Sequence, residues 1–354
     1  MWRRDYMRTL MNRIWNLRIS RPAKLLLFTL FTGSFPIAPL HAQGADEVSY
    51  DGTTAWGDPD LQGLWTNETR TPMERPVELG NKAFFTEEDV QAMQAASEPQ
   101  PQPVEAIVEE VSAPPVGGNV GAHPPIFLDQ GEVLLSTRQT SLIVDPPNGR
   151  APLRDSAWQA REERLQHLED DYTNFTPWDR CITRGVPGAM LPAAYNNAYR
   201  IIQTPDHVVI LHEMIHEVRI IPLDKSVHND DRIKLWMGDS VAHWEGNTLV
   251  VETTNFHGRG MIANSGAGGR LRGVSVTEDL HLVERFTRIE EDTIIWAVTI
   301  TDPDIYTQPF TISMPLTHDP DYVIYEYACH EGNQAIRNIL SAGREREKRE
   351  AAGL

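Results

Sequence analysis

The sequence predicts a mainly β protein whose core is an antiparallel meander that closes into a barrel. From residue 199 onward, strand-like runs alternate with turn residues such as Pro205-Asp206 and Glu245-Gly246-Asn247. These connections are too short for crossover helices, so neighbouring strands should be antiparallel. A closed barrel removes the edges that such a row of strands would otherwise expose. The expected strands are 199–204, 207–213, 217–223, 232–237, 248–256, 279–289, 293–301, 309–314 and 322–329.

The barrel should occupy residues 191–332, with three further segments around it. Residues 1–42 contain a basic start, a short apolar stretch and a small-residue stop, which together are typical of a secretory signal peptide. An uncleaved membrane anchor is the alternative. Residues 43–190 should wrap the barrel as an irregular region, and residues 333–354 should form a C-terminal helix and a charged tail.

The irregular region should contain two short helices and a strand. Thr86 is followed by three acidic residues, which predicts a helix from there to about Ala96, and a second helix is expected over 156–170. The Pro-rich 97–125 segment should be a surface loop, and residues 134–145 should be extended. Inside the barrel half, the Gly-rich 258–273 segment is a candidate lid.

The charge of the chain limits its partners. The formal net charge is −18, and loss of the basic residues 1–42 would make the remainder more acidic. Such a field repels phosphate, so neither nucleic acid nor an anionic membrane surface is an expected partner. We expect a periplasmic or secreted protein with no membrane span in its mature part. The sequence leaves the oligomeric state open.

Two cysteines, Cys181 and Cys329, are the whole complement of the chain. An even pair in an exported protein predicts a disulfide, and two separate buried thiols are the alternative. A crosslink at these positions would bring Arg180 and Arg184 close to His330 and Glu331. Such a cluster could bind an acid group, move a proton, or act as a salt-bridged clasp.

The string His212-Glu213-Met214-Ile215-His216 is a literal H-E-x-x-H motif. On a helix, both imidazoles would reach one zinc ion. The surrounding Val and Ile residues favour a strand, along which the two histidines would stand about 13 Å apart. We therefore expect His212 and His216 to point into the barrel, with His216 as a general acid or base. A zinc site built on His212 and His216 is the alternative.

Other polar residues are candidates for the same site. Glu284 lies on an apolar strand face, as either an inward catalytic or ligand-binding carboxylate or the partner of a buried Arg. Glu213, Tyr325, His330 and Asp302 are expected to assist His216. The expected substrate-binding residues are Tyr195, Asn196, Arg219, Glu284 and Glu331.

Several motifs together resemble a family of uncharacterised exported proteins from proteobacteria and acidobacteria. The resemblance covers residues 58–340 and implies export, but it implies no activity and no catalytic residue. The segments that carry it are Pro59-Asp60-Leu61-Gln62-Gly63-Leu64-Trp65, residues 141–147 (SLIVDPP), residues 190–197 (MLPAAYNN), residues 213–217 (EMIHE), residues 244–251 (WEGNTLVV) and residues 325–333 (YEYACHEGN).

A lipocalin-like barrel of this size encloses one small ligand. Nine Trp, nine Tyr and ten Phe are enough to line a cavity for an apolar or aromatic compound. The sequence thus favours an exported enzyme of acid–base chemistry, namely a lyase, dehydratase, isomerase or hydrolase, with no cofactor. A non-catalytic periplasmic binding protein is the alternative, and a zinc hydrolase is the second alternative.

Overall fold

The computed structural model describes residues 50–96, 131, 135–223 and 227–353. The predicted signal peptide and the predicted Pro-rich loop lie outside these residues. Ten strands form one sheet, and the predicted antiparallel barrel is confirmed. The strands are β1 (Gly63–Thr66), β2 (Ile143–Asp145), β3 (Ala198–Gln203), β4 (His207–His212), β5 (Val218–Pro222), β6 (Asp239–Glu245), β7 (Thr248–Thr254), β8 (His281–Glu290), β9 (Thr293–Thr301) and β10 (Phe310–His318).

The order of strands around the barrel is β5-β4-β3-β1-β10-β9-β8-β7-β6, with β2 attached to β10. All of these neighbours pair antiparallel. The first and last strands, β5 and β6, approach each other, and the described residues there form a single parallel bridge, between Leu223 and Ala242. The barrel is therefore nearly closed, with an open seam between β5 and β6.

The barrel uses strands that the sequence did not predict. β1 comes from the region expected to be irregular, and it lies between β3 and β10, where Trp65 pairs with both Tyr199 and His318. β6 takes the place of the strand expected over 232–237, a segment in which Leu235 forms one bridge. Gly238 redirects the chain into β6 with φ +68°, and a Cβ there would lie 2.6 Å from the Thr254 carbonyl oxygen.

Side chains fill the interior of the barrel. Along β8 and β9 every second residue is buried, which is the alternation expected of strands with one face on a core. Phe286 and Trp296 face each other across these strands, and both are fully buried. The cavity that we expected inside the barrel is thus occupied by a packed core, as in other small barrels.

The three α-helices lie close to their predicted positions. They are α1 (Glu87–Ala96), α2 (Asp155–Gln166) and α3 (Ala335–Ala351). At the start of α1, Thr86 accepts a hydrogen bond from the Asp89 amide while Asp89 accepts one from Thr86, which is a reciprocal cap. The residues expected as a charged tail belong to α3. No described helix has both the length and the hydropathy of a membrane span.

Two further expectations are corrected. Residues 322–329 belong to an irregular segment, residues 319–334, which we call the C-terminal strap. The Gly-rich 258–273 segment is not a free lid, because Ile262, Ala263 and Leu271 are buried in the main core. Ile262 and Ala263 are held there by backbone hydrogen bonds to Val274 and Gly273. Because glycine dominates this segment, its sequence did not indicate that its aliphatic residues would be buried.

Candidate functional site

The open seam contains a groove of about 310 Å³, which we call the seam groove. Its walls are aliphatic and partly open to solvent: Val218 is 47 % exposed, Ile220 65 % and Leu235 44 %. Arg219, Asn229, Asp239 and Ser240 supply the polar part of the lining. The groove exists because β5 turns its Val218 and Ile220 side chains outward at the one place where the sheet does not continue.

Arg219, which lines the seam groove, is held from below by a buried ion pair with Glu284. The Arg219 guanidinium donates to both oxygens of Glu284, at 3.1 and 2.6 Å. Glu284 is fully buried and also accepts from the Trp296 indole at 3.1 Å. Arg219 donates to Ser240 Oγ at 3.2 Å, while its buried Nε has no hydrogen-bond partner among the described residues. The charge of Arg219 is therefore balanced, and one of its donors is left over.

Glu284 and Arg219 were both predicted as ligand-binding residues. The structure brings them together, in the arrangement that the sequence left as the alternative for Glu284, the partner of a buried Arg. A bidentate Arg–carboxylate pair in a low-dielectric core is strong once formed, but it is costly to break. We infer that Glu284 fixes the position of Arg219. Of these two residues, only Arg219 faces the groove.

A row of histidines and carboxylates begins at Asp239, which lines the seam groove, and leads away from it. His228 Nδ1 lies 3.1 Å from Asp239 Oδ2, and Asn229 donates to the same carboxylate through its backbone and side chain. On the other side, His228 Nε2 is 3.8 Å from Glu252 Oε2, which is too long for a hydrogen bond. Glu252 instead hydrogen-bonds His281 Nε2 at 2.6 Å. The Asp239 carboxylate thus orients the His228 ring.

The H-E-x-x-H string forms the connection between β4 and β5. It is neither the helix of a zinc protease nor the continuous strand that we expected. Glu213 has helical dihedral angles, Ile215 and His216 have positive φ of 63° and 45°, and the chain reverses into β5. His212 ends β4 and is buried, whereas His216 is exposed. The described residues contain no group of three or more His, Cys, Asp or Glu side chains placed to hold a metal ion.

The prediction that His216 points into the barrel is therefore wrong. The turn reverses the alternation of side chains, so that Arg219 and Ile221 of β5 point inward, and Val218 and Ile220 point outward. His216 instead lies beneath the strap, with its Nδ1 2.9 Å from the Tyr327 carbonyl oxygen.

His212 does face the interior, as expected. Its ring meets the edge of Tyr199 at 5.3 Å between centroids, and neither ring nitrogen has a well-formed hydrogen bond to the described residues. Burial, together with the smaller effects of the positive charges of Arg219 and Arg184, lowers the pKa of His212 to about 3, against a weak opposing effect of the Ala189 backbone. A ring held neutral in this way is a core histidine rather than a proton donor near neutral pH.

Glu213 is fully buried and binds the C-terminal strap. The Tyr322 hydroxyl donates its one proton to the carboxylate, whose two oxygens both lie 2.9 Å away, and the Tyr325 backbone amide donates to Oε1 at 3.2 Å. The Tyr325 side chain, which was expected in the site, is 65 % exposed. Glu213 therefore anchors the strap across β3 and β4 and is not placed beside His216 as a partner.

A second pocket, of about 430 Å³, lies beside the disulfide, and we call it the disulfide pocket. Cys181 and Cys329 are bonded as predicted, with their Cα atoms 5.6 Å apart. Arg180, His330, Asp179 and Asn333 line this pocket together with the apolar side chains of Ile182 and Ile336.

The predicted cluster around the disulfide is only partly formed. Arg180 and His330 come together, but Arg184 turns into the core, where it donates to the Leu191 carbonyl and lies over the Trp178 ring. Glu331 is exposed. The reason is that Arg180 lies in the turn over residues 177–181 whereas Arg184 lies beyond it, and Cys181 between them has a positive φ of 53°, so that the two arginines point in different directions.

The remaining predicted residues lie apart from both pockets. Tyr195 stacks on Tyr327 with ring centroids 6.3 Å apart, and burial raises the pKa of its phenol. Asn196 occupies a left-handed turn position with φ 54°. Asp302 is buried and accepts hydrogen bonds from the backbone and hydroxyl of Thr277, both at 2.8 Å. These contacts connect loops and give the three residues structural roles.

Sequence reasoning missed Asp239, His228 and Tyr322. Asp239 follows Gly238 and precedes an apolar strand, which is a common turn pattern with no chemical signature. His228 lies in a polar loop and meets its partners only through tertiary contacts. The alternation of the strand over 279–289 did indicate a buried Glu284, and that was the one usable signal for the floor of the groove.

Comparisons with known proteins add little to this geometry. No protein-family model and no curated protein matches the chain. Among solved structures, two mutants of the fluorescent protein UnaG are similar over 35 % and 34 % of this chain, and 72 % and 70 % of theirs. The sequence identity is 12 % and the TM-score 0.20 in both cases. A likeness this weak supports no conclusion about ligand or function.

Proposed function

We propose that this protein is an exported small-molecule-binding protein, and that it takes a neutral, mainly aliphatic compound in the seam groove. The observation that carries the proposal is the combination of aliphatic walls with a charge-balanced polar floor. The volume of about 310 Å³ suits a small ligand. Export is supported by the disulfide and by the basic and apolar character of residues 1–42.

The electrostatics of the groove favour a neutral ligand over an anion. Glu284 already neutralises Arg219, and the carboxylate of Asp239 adds a negative charge to the lining. Among the lining residues, the Ser240 hydroxyl lies between an Arg219 N–H donor and the Thr253 hydroxyl, and it is the donor that a ligand with an acceptor can compete for. A ketone, ester or amide oxygen on an aliphatic body has this chemistry.

The test compares 2-decanone with decanoate by isothermal titration calorimetry on the full chain. We expect 2-decanone to bind, decanoate to bind at least about tenfold more weakly, and Ile220→Asp to weaken 2-decanone binding by about tenfold or more. Ile202→Asp is the matched control, because Ile202 is 42 % exposed on β3 and does not line the groove. Equal binding of the ketone by Ile220→Asp and the unchanged protein, or tighter binding of decanoate, would disprove the proposal.

Acid–base catalysis at the rim of the same groove is a second candidate function. It is favoured by the contact between His228 and Asp239, since a carboxylate that orients an imidazole is a common device of general bases. A neutral aliphatic ester, p-nitrophenyl butyrate, is the test substrate. Water would attack the ester carbonyl while His228 accepts its proton, giving butyrate and p-nitrophenol. His228→Gln should lower the rate by about a hundredfold; a rate equal to that of buffer alone would rule out this esterase activity.

A further inference from the structure

The disulfide pocket differs from the seam groove in its charge. Arg180 lines it, and no carboxylate among the described residues lies at ion-pair distance from this guanidinium. Its Nε is buried and has no hydrogen-bond partner among the described residues. Partial burial lowers the pKa of Arg180, against the weaker opposing effects of Tyr172, Asp179 and Asp171.

The carboxylates nearest to Arg180 accept hydrogen bonds within the turns to which they belong. Asp179 Oδ2 accepts hydrogen bonds from the backbone and hydroxyl of Thr176, at 3.1 and 2.7 Å. Asp171 Oδ1 accepts the equivalent pair from Thr173, at 2.8 and 2.6 Å. Both carboxylates therefore stabilise local turns, and they offset the charge of Arg180 only from a distance.

A second wall of the pocket, formed at the start of α3, also attracts negative charge. Asn333 accepts from the Ala335 amide at 3.0 Å, where α3 begins, and donates to Cys181 Sγ at 3.1 Å. His330 lies in the same wall, and the first turn of α3 adds the positive end of its dipole. Ile182 and Ile336 add apolar surface to the lining, and Tyr172 adds an aromatic ring.

We infer that the disulfide pocket binds a small organic carboxylate with a short apolar or aromatic body. Arg180 provides the counter-charge, His330 provides a second polar contact, and the two isoleucines cover the body of the ligand. A singly charged carboxylate fits better than a phosphate, because Asp179 also lines the pocket and repels a second negative charge. This site is separate from the seam groove and does not depend on the function proposed for that groove.

The experiment uses calorimetric titration of the full chain with benzoate and with benzamide, its neutral counterpart. Benzoate should bind and benzamide should bind about tenfold more weakly or not at all. Arg180→Gln should weaken benzoate binding by about tenfold or more, the loss expected for one charge-assisted hydrogen bond. Arg200→Gln, which removes the same charge from an exposed position on β3, should leave the affinity unchanged.

A further variant protects the test against misfolding. His330 is exposed, so His330→Gln should keep the fold and weaken benzoate binding by a smaller factor, about twofold to fivefold. The inference is overturned if benzoate does not bind at about 10 mM, a concentration at which even a weakly binding fragment is detected. It is also overturned if benzamide binds as tightly as benzoate, or if Arg180→Gln and Arg200→Gln change the affinity equally. Failure of 2-decanone to bind at the seam groove would not bear on any of these outcomes.

Discussion

The seam groove and the disulfide pocket each contain an arginine, but only the arginine of the seam groove has a carboxylate in direct contact. Arg219 is 3 % exposed and forms a bidentate pair with Glu284, so its charge is matched inside the protein. Arg180 is partly exposed, and the acids around it are engaged in turns. Burial depth explains the difference, because an unmatched charge in the core costs several kcal/mol, whereas one near the surface is partly solvated. Residue type alone therefore does not tell whether an arginine is free to bind a ligand.

The largest expected effect comes from breaking the matched pair. Glu284→Gln keeps the shape of the side chain but leaves Arg219 charged in the core, so we expect the free energy of unfolding to fall by about 3–5 kcal/mol. Urea denaturation measures this change. The matched control is Glu245→Gln, whose partner Arg285 is 2.7 Å away and about half exposed, and this change should cost less than about 1 kcal/mol. Equal losses in the two variants would mean that burial does not distinguish the two pairs.

Removal of the crosslink should act on the disulfide pocket and spare the seam. The bond between Cys181 and Cys329 closes a loop of 148 residues, for which chain entropy alone gives about 5 kcal/mol. Measured losses are commonly smaller than this value, and we expect about 3–4 kcal/mol for the double change to Ser. The strap would then be held by Glu213 and its tyrosine contacts. Amide hydrogen exchange should become faster over residues 319–334 by a larger factor than along β5 and β6, where the loss of global stability alone sets the increase. A uniform increase across the barrel would show that the two regions are not independent.

Acidification should lower the free energy of unfolding by a smaller amount, because His212 is buried beside Arg219. The folded-state pKa of about 3 lies below the usual value near 6.5, so its stability contribution is complete above pH 6.5 and is lost as the pH falls toward 3. At pH 4.5 the loss from this residue should be about 2–3 kcal/mol. His212→Phe should remove that loss, as measured by urea unfolding at pH 7.5 and pH 4.5.

The exposed His216 supplies the control for this pH experiment. His216→Gln should leave the difference between the two pH values as it is in the unchanged protein. Burial raises the pKa of Glu217 and of Asp302, so these two groups favour the folded state as the pH falls, opposite to His212. Their effect is the same in every variant and cancels from the comparison. If His212→Phe were as acid-sensitive as the unchanged protein, the ring would not be the group that titrates.

The predictions from sequence succeeded where the signal was local. Alternation along β8 and the helix start at Thr86 each depend on a few neighbouring residues, and both were confirmed. The disulfide joins residues 148 positions apart, but the even cysteine count predicted it without any knowledge of the fold, and it was confirmed too. β1 was missed because four residues carry too little pattern. The site was predictable only in part: Glu284 and Arg219 were named, but their pairing and the His228–Asp239 contact join residues 65 and 11 positions apart.

The sequence by itself determined the antiparallel barrel, the disulfide and the acidic character of this protein, since turn chemistry, strand alternation and charge are written residue by residue. Only the tertiary structure decided that the first histidine of the H-E-x-x-H string would lie in the interior and the second at the surface. Two residues with positive φ, Ile215 and His216, reverse the strand there. A single turn of that kind exchanges the inner and outer faces of the following strand, and no count along the chain reveals it.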